Sequence, residues 1–444
     1  MAAKSMILTA FFFNPQGDNR MSWRSPNAPR HEVYGLDYYR RLAETAENAK
    51  VDAIFVADHV AMWDTYASNI RHYANARLEP VTLLAALAAV TKDIGLIATA
   101  STSYSEPYNL ARALASIDHI SNGRMGWNVV TSAMNEEALN FGRDGNIEHA
   151  SRYERAAEFV EVAKTLWDSI EDGALLIDKT SGDFADPSRV HRIDHAGKHF
   201  KVRGPLNVPR PPQGHPLIVQ AGSSKDGKNF AARHADVNFA IFRNIEDGKK
   251  YRADFDALLT ENDRDPQAFK ILPGILPIVA DSRSEAEERQ RHLADIIPER
   301  LAVDLVSSWC GIDMSKLAVD GPLPPLPDEE SYHGQRSNLV QLKAFATKGM
   351  TIRDVARVLA TAGAAPVFAG TPKDIADQME AWFTGGAGDG FNLMFPVLPD
   401  DWMQFTERVV PELQRRGIAR KDYGQGTLRD RLGLPRPTNR FAAA

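Results

Sequence analysis

The chain has 444 residues, 43% of them hydrophobic and 25% charged, which is enough apolar mass for a large core and excludes a disordered or fibrous chain. A formal net charge of −6 gives no basic face for nucleic acid, and a single cysteine, Cys310, excludes a disulfide framework and any cysteine-based metal site. No apolar run approaches a membrane span and the start, Met1 to Met6, is too short and polar for a signal peptide, so a cytoplasmic protein is expected.

Apolar runs alternate with helical periods from the start of the chain. Strands are expected at Met6 to Phe13, Asp52 to Ala57, Ile94 to Thr99 and Arg124 to Val130. Helices are expected between them at Tyr38 to Ala49, Pro80 to Val90 and Pro107 to Ile120, the last two with proline in the first turn. After a long amphipathic helix at Tyr153 to Ile170, residues 171–216 lose helical period and read as an insertion before the fifth strand, Leu217 to Gln220. The alternation resumes with helix Lys228 to His234, strand Val237 to Ile241, helix Asp247 to Asn262, strand Ile271 to Val279 and helix Ser284 to Asp295. Residues 297–350, rich in Pro and Gly, read as a second insertion that suits a lid and equally suits an inert loop or a subunit contact. Helices Ile352 to Thr361 and Pro372 to Phe383, an eighth strand at Phe391 to Phe395 and a closing helix at Asp401 to Arg416 complete the pattern. Eight strands, each followed by helix, predict an α/β fold: one (β/α)8 TIM barrel across residues 1–444, with two large excursions.

Two strand ends carry the chemistry-bearing residues. Arg124 to Val130 empties into Thr131-Ser132 and Asn140-Phe141-Gly142, and Leu217 to Gln220 empties into Ala221-Gly222-Ser223-Ser224. Active sites of such barrels lie at the strands' C-terminal ends. No ligand spacing for a metal, no Gly-x-Ser-x-Gly elbow and no P-loop is present, so a bound organic cofactor is expected to carry the reaction.

Several long motifs then narrow the class. Phe55-Val56-Ala57-Asp58, Gly123 to Ser132, Glu148-His149-x-x-Arg152-Tyr153, Arg203 to Gly214, Gln220 to Ser224, Asp389 to Asn392 and Val410 to Gly417 resemble the flavin-dependent monooxygenases that include the nitrilotriacetate, EDTA and dibenzothiophene-sulfone enzymes. That family is a branch of the bacterial luciferase-like superfamily, and the resemblance runs from about Met6 to Pro435.

The resemblance implies a two-component system in which a separate NADH:FMN oxidoreductase supplies FMNH2, and this chain reacts it with O2 and a small substrate. It also implies a homodimer or homotetramer. Asp58 resembles the family's contact to the flavin ring, with a helix cap as the other reading. Thr102 and Asn128 would bond the ring or ribityl chain, or form a satisfied polar layer in the barrel mouth. His149 and Tyr153 share one helical face and would reach one ribityl-phosphate tail. Ala221, Gly222, Ser223 and Ser224 would cradle the phosphate at a helix N-terminus, with Gly385 to Gly388 as a rival turn.

Substrate contacts are expected from Phe12, Trp63 and Tyr104 as aromatic walls, from Ser132, from Arg71 among the loop cations that include Arg77, and from His333 in the second insertion. The expected reaction hydroxylates and splits a C–N or C–S bond of an aminopolycarboxylate or S-substituted cysteine. An aryl sulfone or haloarene substrate, a flavin-binding barrel without turnover, and a deazaflavin oxidoreductase remain open alternatives.

Overall fold

A computed structural model describes residues 5–329, 332, 336–363 and 365–442. Eight parallel strands close into a barrel: β1 (Ile7–Phe12), β2 (Ala53–Val56), β3 (Gly95–Ser101), β4 (Met125–Val130), β5 (Leu217–Gln220), β6 (Val237–Ala240), β7 (Lys270–Val279) and β9 (Gly390–Met394). Closure comes from β9 pairing with both β7 and β1, with Ile7 opposite Gly390. A side chain at Gly390 would place its Cβ 1.9 Å from the Ile7 carbonyl oxygen, so this seam requires glycine. A ninth strand, β8 (Val367–Gly370), pairs with the far half of β7 outside the ring. Four residues between two turn regions give too little periodicity to announce it.

Strand alternation divides the side chains between two layers. Ile7, Phe55, Ile97, Val219 and Leu272 fill the barrel with Phe11 and Phe239, while Leu8, Ala10, Phe12, Ile54 and Val56 face the surrounding helices. The barrel floor is sealed by the C-terminal segment, whose Leu428, Leu432 and Leu434 join the interior cluster. The helices that matter for the site are α1 (Leu36–Asn48), α2 (Pro80–Val90), α3 (Pro107–Ile120), α4 (His149–Asp168), α5 (Lys225–His234) and α6 (Ile245–Glu261).

The described residues between 297 and 350 carry more helix than the Pro and Gly content of this stretch suggests. They hold α8 (Glu299–Cys310) and α9 (Arg336–Ala346), which follow α7 (Arg283–Asp295) and precede α10 (Ile352–Ala362). In α8, nine consecutive or near-consecutive residues from Leu301 to Cys310 are buried, so no polar face exists to reveal a helical period. Helices α8, α9 and α10 form a second core with Met21 from the loop after β1 and Tyr73 from the loop after β2. All three segments leave the C-terminal ends of strands, so this core stands over the barrel mouth.

The closing helix is also interrupted. It runs as Asp400–Gln404, a π-helical turn Phe405–Val409, and Val410–Arg415, with Pro411 in the first turn of the last piece. Proline has no N–H to return to the preceding turn, and the ladder slips there. Among the described residues no helix is long and apolar enough to cross a membrane.

Candidate functional site

A cleft opens at the C-terminal ends of β2, β4 and β5. Its walls are Asp58 and His59 after β2, Val129 to Ala133 at the end of β4, and Gln220 to Ser224 at the end of β5. Glu137 from the turn after β4, His149, Arg152 and Tyr153 from the first turns of α4, and Arg336 from the start of α9 complete it.

The β5 turn is shaped by two glycines. Ser224 caps α5, its hydroxyl accepting the Gly227 N–H at 3.1 Å. A Cβ on Gly227 would lie 2.9 Å from the Gly222 backbone, and a Cβ on either glycine would lie 3.0 Å from the Tyr153 hydroxyl. Turn, helix start and tyrosine therefore close on one another only because both positions lack side chains. Gly227→Ala separates the two effects of glycine, because alanine favours the helix by about 1 kcal/mol but cannot fit the contact. The expected outcome is a lower melting temperature and loss of ligand binding in the cleft; a higher melting temperature would show that the contact is dispensable.

Two guanidinium groups and an imidazole gather at this end of the cleft. His149 and Arg152 are buried, and the Arg152 guanidinium donates to the Ser132 carbonyl. His149 Nδ1 lies 3.0 Å from Asp226 Oδ2, and the Arg336 guanidinium lies 3.8 Å from the same oxygen. Burial, then the charges of Arg336 and Arg152, hold the His149 imidazolium below its ordinary pKa against the pull of Asp226. Burial likewise raises the Tyr153 phenol, whose hydroxyl meets Ser224 and Thr131.

The wall of the cleft formed by the loops after β2 and β4 is organised by Glu137. This carboxylate is 1% exposed and accepts the N–H groups of Val60, Ala133 and Met134 at 3.2, 3.2 and 3.1 Å. Burial pushes its pKa up, but His59 and these N–H groups hold it below the usual carboxylate range. A fixed negative charge thus stitches the loop after β2 to the loop after β4. Asp58 differs: burial outweighs the Arg77 and His59 charges and pushes its pKa up to about 6.

Of the residues expected from the sequence, Asp58, Ser132, His149, Tyr153, Ala221, Gly222, Ser223 and Ser224 come together in the cleft. Thr102 does not line it: the residue is fully buried and its hydroxyl donates to the Val130 carbonyl at 3.1 Å. Asn128 points into the barrel below the mouth, donating to Thr99 Oγ1 at 2.9 Å, while its amide oxygen has no partner among the described residues.

Phe12 is a correction, because strand alternation turns it outward onto Trp402, with ring centroids 6.2 Å apart; Phe11 and Phe13 carry the inward positions. Trp63 packs into the second core edge-on to Tyr73, and Arg71 is exposed outside the lining. Tyr104 stacks on Phe141 at 4.5 Å beside the Arg143 guanidinium. His333 lies outside the described residues. The sequence reading assigned no role to Arg152, Glu137, His59, Gln220 or Arg336. Arg152 stands three residues from His149, on the same helical face, and was readable; Glu137 sits in a helix of five residues, and Arg336 reaches the cleft only through tertiary packing.

A parallel barrel with a cleft at the strand C-termini, lined by hydroxyls, guanidinium groups and a glycine turn, has the architecture of an α/β-barrel enzyme, whose active sites lie at that face. Residues 20–389 match the luciferase-like monooxygenase family, and the chain belongs to it. It is 45% identical to nitrilotriacetate monooxygenase component A of Aminobacter aminovorans, over 100% of this chain and 99% of that protein. It is 44% identical to N-acetyl-S-(2-succino)cysteine monooxygenase of Bacillus subtilis, over 99% of each. A crystal structure of a riboflavin lyase holding modified FMN and riboflavin superposes with a TM-score of 0.87 at 32% identity, covering 97% of this chain and 96% of that one.

Proposed function

We propose that the chain is the oxygenating component of a two-component system, taking FMNH2 from a separate NADH:FMN oxidoreductase and using O2 to split a C–N or C–S bond of a small organic acid. The observation that carries this reading is the convergence of His149, Arg152, Arg336, Tyr153 and the Ser223-Ser224 turn at one end of a single cleft. That set suits a phosphate: hydroxyls and backbone N–H groups at a capped helix start, with cations behind them. The likeness to a flavin-bearing structure supports the same ligand.

Reduced flavin, when bound, supplies the electrons that activate O2 for insertion of one oxygen atom. The chain's own residues bind and orient. Arg152 and Arg336 neutralise the phosphate, and the His149 ring, Tyr153 and Ser224 hold its oxygens by hydrogen bonds. Asp58 and the loop edge fixed by Glu137 form the wall against which the ring would lie. The Asn128 amide oxygen, buried without a partner, is an acceptor suited to a flavin N–H. The second core over the mouth keeps water from the reacting centre, and its insertion acts as the lid.

Two features favour a small acid as substrate. The relatives at 45% and 44% identity are named for nitrilotriacetate and a succinylated cysteine. The Arg77 guanidinium lies 4.1 Å over the Phe13 ring, which meets His59 edge-on at 5.2 Å, so the mouth offers a cation backed by aromatic surface. Hydroxylation of the carbon beside N or S gives an adduct that collapses unaided, breaking the bond.

The test is oxygen uptake with photoreduced FMN across iminodiacetate-type acids, S-alkylcysteines, aryl sulfones and chlorinated aromatics, with products followed by mass spectrometry. An oxo-acid released from one acid supports the proposal. Turnover of uncharged aromatics alone replaces the substrate class, and hydrogen peroxide alone from every compound removes the oxygenase assignment.

A further inference from the structure

The cations at the phosphate end of the cleft already have an anion of the protein's own. Asp226 stands in the first turn of α5, two residues past the capping Ser224, and its Oδ2 lies 3.0 Å from His149 Nδ1 and 3.8 Å from the Arg336 guanidinium. A carboxylate in this position sets its negative charge against the same two groups a phosphate oxygen would meet, without completing a hydrogen bond to either. Both anions cannot hold the same donors, since like charges about 4 Å apart repel strongly at a partly buried site. The Asp226 side chain is 39% exposed, so it has solvent to turn into.

We propose that Asp226 is an internal competitor of the flavin phosphate for His149 and Arg336, moving aside on binding, so that it sets how tightly the flavin is held. The inference rests on the reading that the cleft takes FMN. A shuttled flavin must be captured from one protein and released after each turnover, and a tethered carboxylate that rebinds the cations shortens its stay. The exchange also links the cleft to α9. Without flavin, Asp226 ties the start of that helix to α5; with flavin, the phosphate takes over Arg336.

The experiment compares wild type, Asp226→Asn and Asp226→Glu by titration with photoreduced FMN and photoreduced riboflavin, followed by quenching of tryptophan fluorescence. Riboflavin lacks the phosphate and serves as the internal control. Asp226→Asn is expected to bind FMN about tenfold tighter than wild type, with riboflavin unchanged and Asp226→Glu close to wild type. Adding Arg336→Gln is expected to remove most of that gain, because the two residues act on one phosphate. Should Asp226→Asn melt early, Asp226→Ser carries the same test, since serine suits a helix N-terminus.

If wild type prefers FMN over riboflavin but Asp226→Asn binds FMN no tighter, the role of Asp226 is overturned while the cleft reading stands. Equal tightening for FMN and riboflavin also overturns it, because the effect would then not act through the phosphate. If wild type binds both flavins equally, or neither, the phosphate reading falls and the role of Asp226 with it.

Discussion

Ser223→Asp is expected to weaken FMN binding about a hundredfold while changing riboflavin binding only a few-fold. The residue sits in the turn between β5 and α5, facing the cleft that Arg152 and Arg336 make cationic. A carboxylate there meets a phosphate that carries nearly two negative charges, and it also satisfies the same cations before the ligand arrives. Tryptophan quenching with the two photoreduced flavins measures both constants. Equal weakening of both would mean a deformed turn, and unchanged FMN affinity would remove the phosphate from this end of the cleft. The melting temperature should hardly move, because Ser223 is half-buried and aspartate is well tolerated before a helix.

A second large effect lies at the opposite face of the barrel and touches stability alone. Arg429, 2% exposed, donates to both Asp236 oxygens at 2.9 and 2.7 Å and to the His215 and Pro435 carbonyls, fixing the C-terminal plug to the strand floor. Arg429→Ala leaves the Asp236 charge buried without its partner, a loss of about 3–5 kcal/mol and a fall in melting temperature on the order of 5 °C.

Acid sensitivity should change with it. Burial raises the Asp236 pKa, but the Arg429 charge and its hydrogen bonds outweigh this and hold it below the usual carboxylate range, at about 2. A depressed carboxylate pKa gives stability that is present above the unfolded value and lost as pH falls through the folded one. Wild type therefore keeps this contribution until pH drops from about 4 toward 2. The variant is expected to begin unfolding at higher pH, with FMN affinity at neutral pH within a few-fold of wild type. An unaltered acid limb in circular dichroism would refute the coupling.

These two sites differ in how they announce themselves. The barrel was readable because its signals are local: apolar runs such as Leu217 to Gln220 separated by capped helices such as Pro107–Ile120, at spacing only parallel strands satisfy. The Gly222-Ser223-Ser224 turn was readable for the same reason, since a strand end, small residues and a helix start are contiguous in the chain. His149 and Tyr153 followed from helical periodicity. Phe12 failed because three successive phenylalanines hide which parity faces inward, and that is settled by the strands on either side.

Composition, strand and helix order, and the residues of the β5 turn were thus determined by the sequence itself, each through interactions that span a few residues. Tertiary structure alone decided the rest. It brought Glu137 under the loop after β2, it ordered α8 and α9 into a second core with Met21 and Tyr73, and it carried Arg336 and Asp226 together from positions 110 residues apart. The physical reason is common to all three. Burial of a charge or an apolar face is a property of the surroundings, and the surroundings of these side chains are supplied by distant segments that meet only when the barrel closes.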